Sequence, residues 1–348
     1  MFGIFIISLA VLVSIFGYLL APDASPNADM QTVEIQAKKP GYSQLFLKIP
    51  DLKNSFPGSW VVKLIGGTPE NFRYLPISKY VINGDTLLVN KYVDEDTSVI
   101  QSYSINQLTN NYPEKLLVQN IVTKKYWLGT DKFGRDILSR LLIGSRVSLA
   151  VGLIAVIISL TIGIFLGAVA GYYRGAVDEV IMWLVNVTWS IPTLLLVFAI
   201  TLALGKGFWQ IFIAVGITMW VSVARLVRGQ VIALKELEYI QAAKALGLSN
   251  SRIIVRHILP NILGPLMVIA ASNFATAIIV EAGLSFLGIG VQPPQPSWGL
   301  MIKENYNFII THNPLLALVP GFAIMLLVLA FNLLGNGLRD AVDVNNPS

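Results

Sequence analysis

Six long apolar stretches decide what this chain can become. A helix that crosses a bilayer needs about 20 mostly apolar residues. Stretches at roughly 2–20, 148–170, 180–204, 208–224, 258–280 and 315–334 meet or approach that length. Backbone polar groups cannot stay unpaired in hydrocarbon, so each reads as a helix. Only 13% of the residues are charged, against about 25% in soluble domains. The expected fold is an all-α polytopic membrane protein of six transmembrane helices, with an inserted β-rich domain after the first. The first stretch, residues 1–21, has no basic leader, which favours an anchor over a cleaved signal peptide.

Short-loop charges set the orientation. With the N-terminus inside, the inner segments carry Arg174, Arg225, Arg228, Lys235, Lys244, Arg252, Arg256 and Arg339. The short outer segments carry only Lys206 and Lys303. Both termini are therefore expected in the cytoplasm and residues 22–145 outside. That long segment holds 14 Lys/Arg, which is no contradiction, because long translocated segments largely escape the charge rule. The net charge of +5 points to cytoplasmic loops and lipid headgroups rather than nucleic acid.

Residues 22–125 differ in composition, with Lys, Asn, Pro and Tyr among short apolar runs. Runs at 59–65, 80–92, 99–103 and 116–122 read as strands, and Asn83-Gly84 marks a hairpin, because a type I′ turn needs φ > 0 at both central residues. Asp94-Glu95-Asp96 lacks calcium-loop spacing and reads as a solvated acidic turn.

Within the spans, Gly163, Gly167 and Gly171 form a smooth i, i+4, i+8 ridge suited to close helix packing. Pro192 reads as a bend. Asn186, Asn273 and Glu281 are polar at membrane depth and are candidates for the pathway or its gate. For Glu281 a cavity-facing role and a structural ion pair near the outer interface both fit.

Enzymatic readings fail on residue types. The chain has no cysteine, which excludes thiol nucleophiles, disulfides and cysteine metal sites. Its two histidines, His257 and His312, leave little room for a metal centre. No phosphate-binding loop is present, so the chain has no P-loop ATP site. Ser285, in Gly283-Leu284-Ser285-Phe286, has no histidine placed to activate it.

The charged island from Tyr239 to Pro260 must lie in water. Residues 234–246 are good helix formers. Gly247 suits the left-handed position that ends a helix, and Ser249 or Asn250 can cap the next one. Pro260 disfavours an uninterrupted helix. Ala242 and Ala243 leave a low profile for a partner's cleft.

At these residues the chain resembles the permease subunits of ABC importers. Their cytoplasmic loop aligns as Gln241-Ala242-Ala243, Gly247 and Ile258-Leu259-Pro260, with Gln241 in place of Glu and His257 in place of Ile. Leu128-Gly129-Thr130-Asp131-Lys132-Phe133-Gly134-Arg135-Asp136-Ile137-Leu138-Ser139-Arg140 is similar to the segment before the second span in the "C"-type dipeptide, oligopeptide and nickel permeases. Gln292-Pro293-Pro294-Gln295-Pro296-Ser297-Trp298-Gly299 and Asn332-Leu333-Leu334-Gly335-Asn336-Gly337-Leu338-Arg339-Asp340 resemble their outer loop and C-terminal end. The resemblance covers residues 126–348 and the first span. It does not explain the insert.

The resemblance implies a type I importer permease in the bacterial inner membrane. Its partners would be a homologous permease, two ATPase subunits that hold ATP and Mg, and an extracytoplasmic substrate-binding protein. This chain itself would carry no cofactor and no catalytic residue. Within the loop 225–260, Gln241, Ala242, Ala243, Leu246, Gly247, Ser249 and Arg252 would form the coupling helix on an ATPase. Asp131, Arg135, Asp136 and Arg140 read as a surface helix that docks outside, or as an elbow held by headgroups. The expected cargo is di- or oligopeptides. A nickel or other small-solute importer, and a membrane-anchored sensor or assembly protein, are the alternatives.

Overall fold

The computed structural model describes residues 1–50, 59–69, 72–105, 108, 120–205, 207–311 and 313–343. Lys206, His312 and the first part of the expected strand at 116–122 lie outside the described residues.

Among these residues, five helices are long and apolar enough to cross a membrane, and a bent pair brings the count to as many as six. They are α1 (Phe2–Leu20), α3 (Ile137–Tyr173), α6 (Phe208–Lys235), the helical run Asn250–Phe286 that ends in α9 (Leu263–Phe286), and α12 (Leu315–Asp343). The third apolar stretch is not one straight helix. α4 (Gly175–Trp189) and α5 (Thr193–Leu204) meet at 94°. Pro192 stands at the start of α5, where its missing N–H costs no helical bond and its fixed φ suits a first turn.

The glycine ridge of α3 packs on α6. A Cβ added at Gly163 would stand 2.5 Å from Val223 Cβ, one at Gly167 2.5 Å from the Ala224 carbonyl oxygen, and one at Gly171 2.8 Å from that of Arg228. Around this seam, Val151, Ala155, Ile211, Val215, Ala277 and Leu284 form one buried core. A second, with Val223, Val227, Val231, Ile240, Ala243 and Ile258, lies toward the charged island.

The insert is built on a five-stranded antiparallel sheet in the order β4-β3-β2-β1-β5. The strands are β1 (Tyr42–Pro50), β2 (Phe72–Asn83), β3 (Thr86–Tyr92), β4 (Ser98–Ser104) and β5 (Ile121–Tyr126). The hairpin forms where Asn-Gly marks it, one residue out of the expected phase. Asn83 pairs with Thr86, and Gly84 is the left-handed residue of the tip, at φ +56°. Leu47, Leu75, Ile77, Leu87 and Val89 fill one face. Glu95 pairs with Lys38 at 2.8 Å, and the Asp94 carboxylate accepts from the Asp96 N–H, so the acidic run is a turn. The run at 59–65 is not a strand. It is the short helix α2 (Trp60–Gly66), which packs beside α1 instead of joining the sheet.

Candidate functional site: the charged island and the arginine clamp

Sequence folds the island by local rules. α6 ends at Lys235, and α7 (Glu238–Ala245) follows after a two-residue corner. Gly247 then takes φ +78°. Its N–H donates to the Lys244 carbonyl at 3.0 Å, and the Leu248 N–H donates to Ala243 at 3.2 Å. This is the paired closure of a Schellman cap. Ser249 sits at the start of α8 (Asn250–Ile253) in extended conformation, but its side chain makes no cap bond. The Asn250 amide oxygen instead accepts from the Tyr172 hydroxyl at 2.8 Å, tying the island to the end of α3.

The two alanines divide their tasks. Ala243 is buried with Ile240 in the chain's own core, whereas Ala242 faces outward. The low profile is therefore one alanine wide. Tyr239, Ala242 and Leu246 share the outer face of α7 at i, i+3, i+7, and Leu246 is 81% exposed. Arg252 and Arg256 are exposed beyond them. Gln241 donates its Nε2 to the Lys235 carbonyl at 2.9 Å. A glutamate there would be an acceptor facing the negative end of α6.

Pro260 does not end the helix. The chain opens into a π turn at Ile254–Ile258, tightens into a 3₁₀ turn at Leu259–Ile262, and continues as α9. The Asn261 side chain donates to the His257 carbonyl at 2.6 Å within this switch.

The three polar candidates of the spans do not share a site. Asn186 is exposed on α4 and accepts from Arg225 at 3.2 Å. Asn273 is buried and reaches Ser159 at 3.5 Å. Glu281 is fully buried and accepts from the Ser285 hydroxyl at 2.7 Å. Ser285 in turn accepts from the Val291 N–H at 3.1 Å. No ion pair of Glu281 occurs among the described residues, so of the two alternatives the structural ion pair is not formed, and the partner is a hydroxyl. The group pins the loop that follows α9 onto that helix.

The segment 129–140 is neither a surface helix nor a headgroup-held elbow. Residues 129–136 are a turn-rich strap, and helix begins at Ile137. Asp131, Arg135, Asp136 and Arg140 are all less than 5% exposed. Arg135 donates to Asp131 at 2.6 Å, to Glu304 at 2.5 Å and to Asp29 at 3.1 Å. Arg140 reaches Glu304 at 3.3 Å and lies 3.7 Å from Asp29. Burial opposes the Arg135 charge, but Asp131 and Glu304 outweigh it and raise its pKa. Asp136 caps α3 by accepting from the Ser139 N–H at 2.9 Å, while burial holds its carboxyl above its ordinary value. Together these side chains clamp the start of the insert to α3 and to α10 (Trp298–Asn305). Two partners, Asp29 and Glu304, are missing from the sequence reading. The signal available was two arginines in one short segment that need counter-charges when buried.

The family described as "Binding-protein-dependent transport system inner membrane component" matches residues 163–344. The dipeptide transport system permease protein DppC of Alkalihalophilus pseudofirmus is 47% identical over 219 residues, 63% of this chain and 72% of that protein. The glutathione transport system permease protein GsiD of Pectobacterium atrosepticum is 44% identical over 218 residues, 63% of this chain and 72% of that protein. The oligopeptide transport system permease protein OppC of Bacillus subtilis is 40% identical over 221 residues, 64% of this chain and 72% of that protein. Among solved structures, the inward-facing methionine transporter MetNI aligns over 58% of this chain and 96% of its own, at 21% identity and TM-score 0.49. The family match takes in the end of α3, the bent pair α4 and α5, α6, the helical run Asn250–Phe286, α12 and the island but not the insert, and the chain belongs to the inner-membrane permease family of binding-protein-dependent ABC transporters.

Proposed function

We propose that this permease subunit imports short peptides and receives the energy of ATP hydrolysis through the outer face of α7. The relatives' names support the cargo class. The observation that carries the coupling role is the exposed stripe Tyr239, Ala242, Leu246, held rigid by the buried Ile240 and Ala243 and by the Gly247 cap. In this reading the stripe sits in a groove of an ATPase subunit, where ATP and Mg are bound, and Gln241, Ser249 and Arg252 flank the contact. Both termini and the island are cytoplasmic, the sheet lies outside, and six spans result when α4 and α5 count as one. The exposed Trp183, Val187 and Trp189 of α4 suit the homologous permease that completes the pathway. An extracytoplasmic binding protein delivers the peptide.

Gly247→Val tests the coupling role. A β-branched side chain is poorly tolerated at positive φ, and nothing lies within 4 Å of the position, so the strain stays local. The expected outcome is a complex that assembles and hydrolyses ATP but no longer couples hydrolysis to peptide uptake in proteoliposomes. Normal coupled uptake would refute the role.

A further inference from the structure

α2 presents a dense exposed apolar surface among the described residues of the insert. In Trp60–Gly66 only Lys63 is charged, and Trp60, Val62 and Ile65 are 75%, 56% and 68% exposed. An apolar surface of that density on a short helix marks an interaction face. Its position is fixed by one side chain. Arg146 of α3 donates to the carbonyls of Ser14 at 2.5 Å and Ile15 at 2.7 Å on α1. The same guanidinium donates to Leu64 at 2.7 Å and Ile65 at 2.8 Å, the open carbonyls at the C-terminal end of α2. A cation at a helix C-terminus also meets the negative end of its dipole. The chain then turns at Gly67, where a Cβ would stand 2.6 Å from the Ala24 carbonyl oxygen, and Thr68 donates to the same carbonyl at 2.8 Å.

Ser14 and Ile15 lie five to six residues before the end of α1 at Leu20, which is about 8 Å of helix. The C-terminal end of α2 is thus held below the end of a membrane-crossing helix. Leu12, Ile15, Phe16 and Leu19 of α1 are exposed as well, so this end of α1 presents apolar side chains at the level where Arg146 holds α2. The Arg146 charge at that depth has four carbonyls as partners and does not require water or a headgroup.

We infer that α2 is immersed in the membrane beside α1, with lipid acyl chains on Trp60, Val62 and Ile65, and moors the insert to the bilayer. The inference rests on α1 being a span. Interfacial helices bury their apolar face about 5–10 Å into the headgroup and acyl boundary, which agrees with the level set by Arg146.

This chain has no cysteine, so with cysteine-free partner subunits single-site spin labels are free of background. Nitroxides are placed by Val62→Cys and Ile65→Cys in the full-length chain, assembled with its partner subunits in lipid nanodiscs. Leu12→Cys on α1 serves as the lipid reference and Asp96→Cys, on an exposed turn, as the water reference. At 62 and 65, collisions with oxygen are expected to dominate over those with a water-soluble nickel chelate, as at 12. Nickel access matching that at 96 overturns the inference, as does protection from both reagents, which would mean a protein cover. An aqueous signal at 12 would also overturn it, and would locate the fault in α1 as a span.

Discussion

Gly134 and Gly84 share a left-handed backbone but not its surroundings. Gly134 has φ +74°, and a Cβ there would stand 1.8 Å from the Thr32 carbonyl oxygen. Gly84 has φ +56° and open space. Gly134→Ala combines strain with a backbone clash and is expected to destabilise by about 2–5 kcal/mol. Gly84→Ala carries only the conformational penalty, roughly 1–2 kcal/mol. Thermal unfolding of the detergent-solubilised protein checks the difference, and equal losses would contradict the tight packing of the strap on residues 32–35. Gly247 was legible in the sequence because a Schellman cap is made within six residues. The partners of Arg135 were not legible, because Asp29 and Glu304 stand 106 and 169 positions away in the chain. Sequence spacing likewise hid the split between Ala242 and Ala243, since only the packed core decides which face of α7 turns inward.

Among the elements, the spans were legible because their length and hydropathy are imposed by the bilayer rather than by a partner. Even so, α3 runs 37 residues, about 55 Å, well beyond a hydrocarbon core of about 30 Å. α3 is thus longer than one crossing needs, and its first turns, packed on the neighbouring helices, carry the clamp. The residues at 59–65 misread as a strand because Val and Ile suit both sheets and apolar helices, and their neighbour proves to be α1. Pro260 disfavours an uninterrupted helix, and the α-helical pattern does give way around it to π and 3₁₀ turns, through which the chain stays helical. The clamp makes an element-scale prediction. Breaking a buried ion pair by removing one partner costs about 3–5 kcal/mol, so Glu304→Ala is expected to loosen the strap from α10 by that order. Glu34 pairs with Lys91 at 2.9 Å, both about a quarter exposed, and Glu34→Ala is expected to cost no more than about 1 kcal/mol. Limited proteolysis and unfolding in detergent compare them. An inert Glu304→Ala would remove the clamp from the account.

For the whole molecule, the family match accounts for residues 163–344, which hold most of the bundle and the island, while the sheet lies outside it and is fastened to the bundle by the clamp and by α2. That the N-terminal part carries a β-rich region was legible in its composition, but not how that region is held, because the clamp and the Arg146 contacts join distant parts of the chain. At this scale the exposed stripe of α7 is proposed as the contact through which an ATPase subunit drives this permease. Leu246→Cys tests it most directly in the assembled transporter, against the cysteine-free parent. The account predicts that Leu246→Cys cross-links to the ATPase subunit through a short bifunctional maleimide paired with a groove cysteine. In intact cells it is also predicted to resist a membrane-impermeant maleimide added outside. Labelling of Leu246→Cys from outside, or the absence of any ATPase cross-link across a set of groove cysteines, would contradict it.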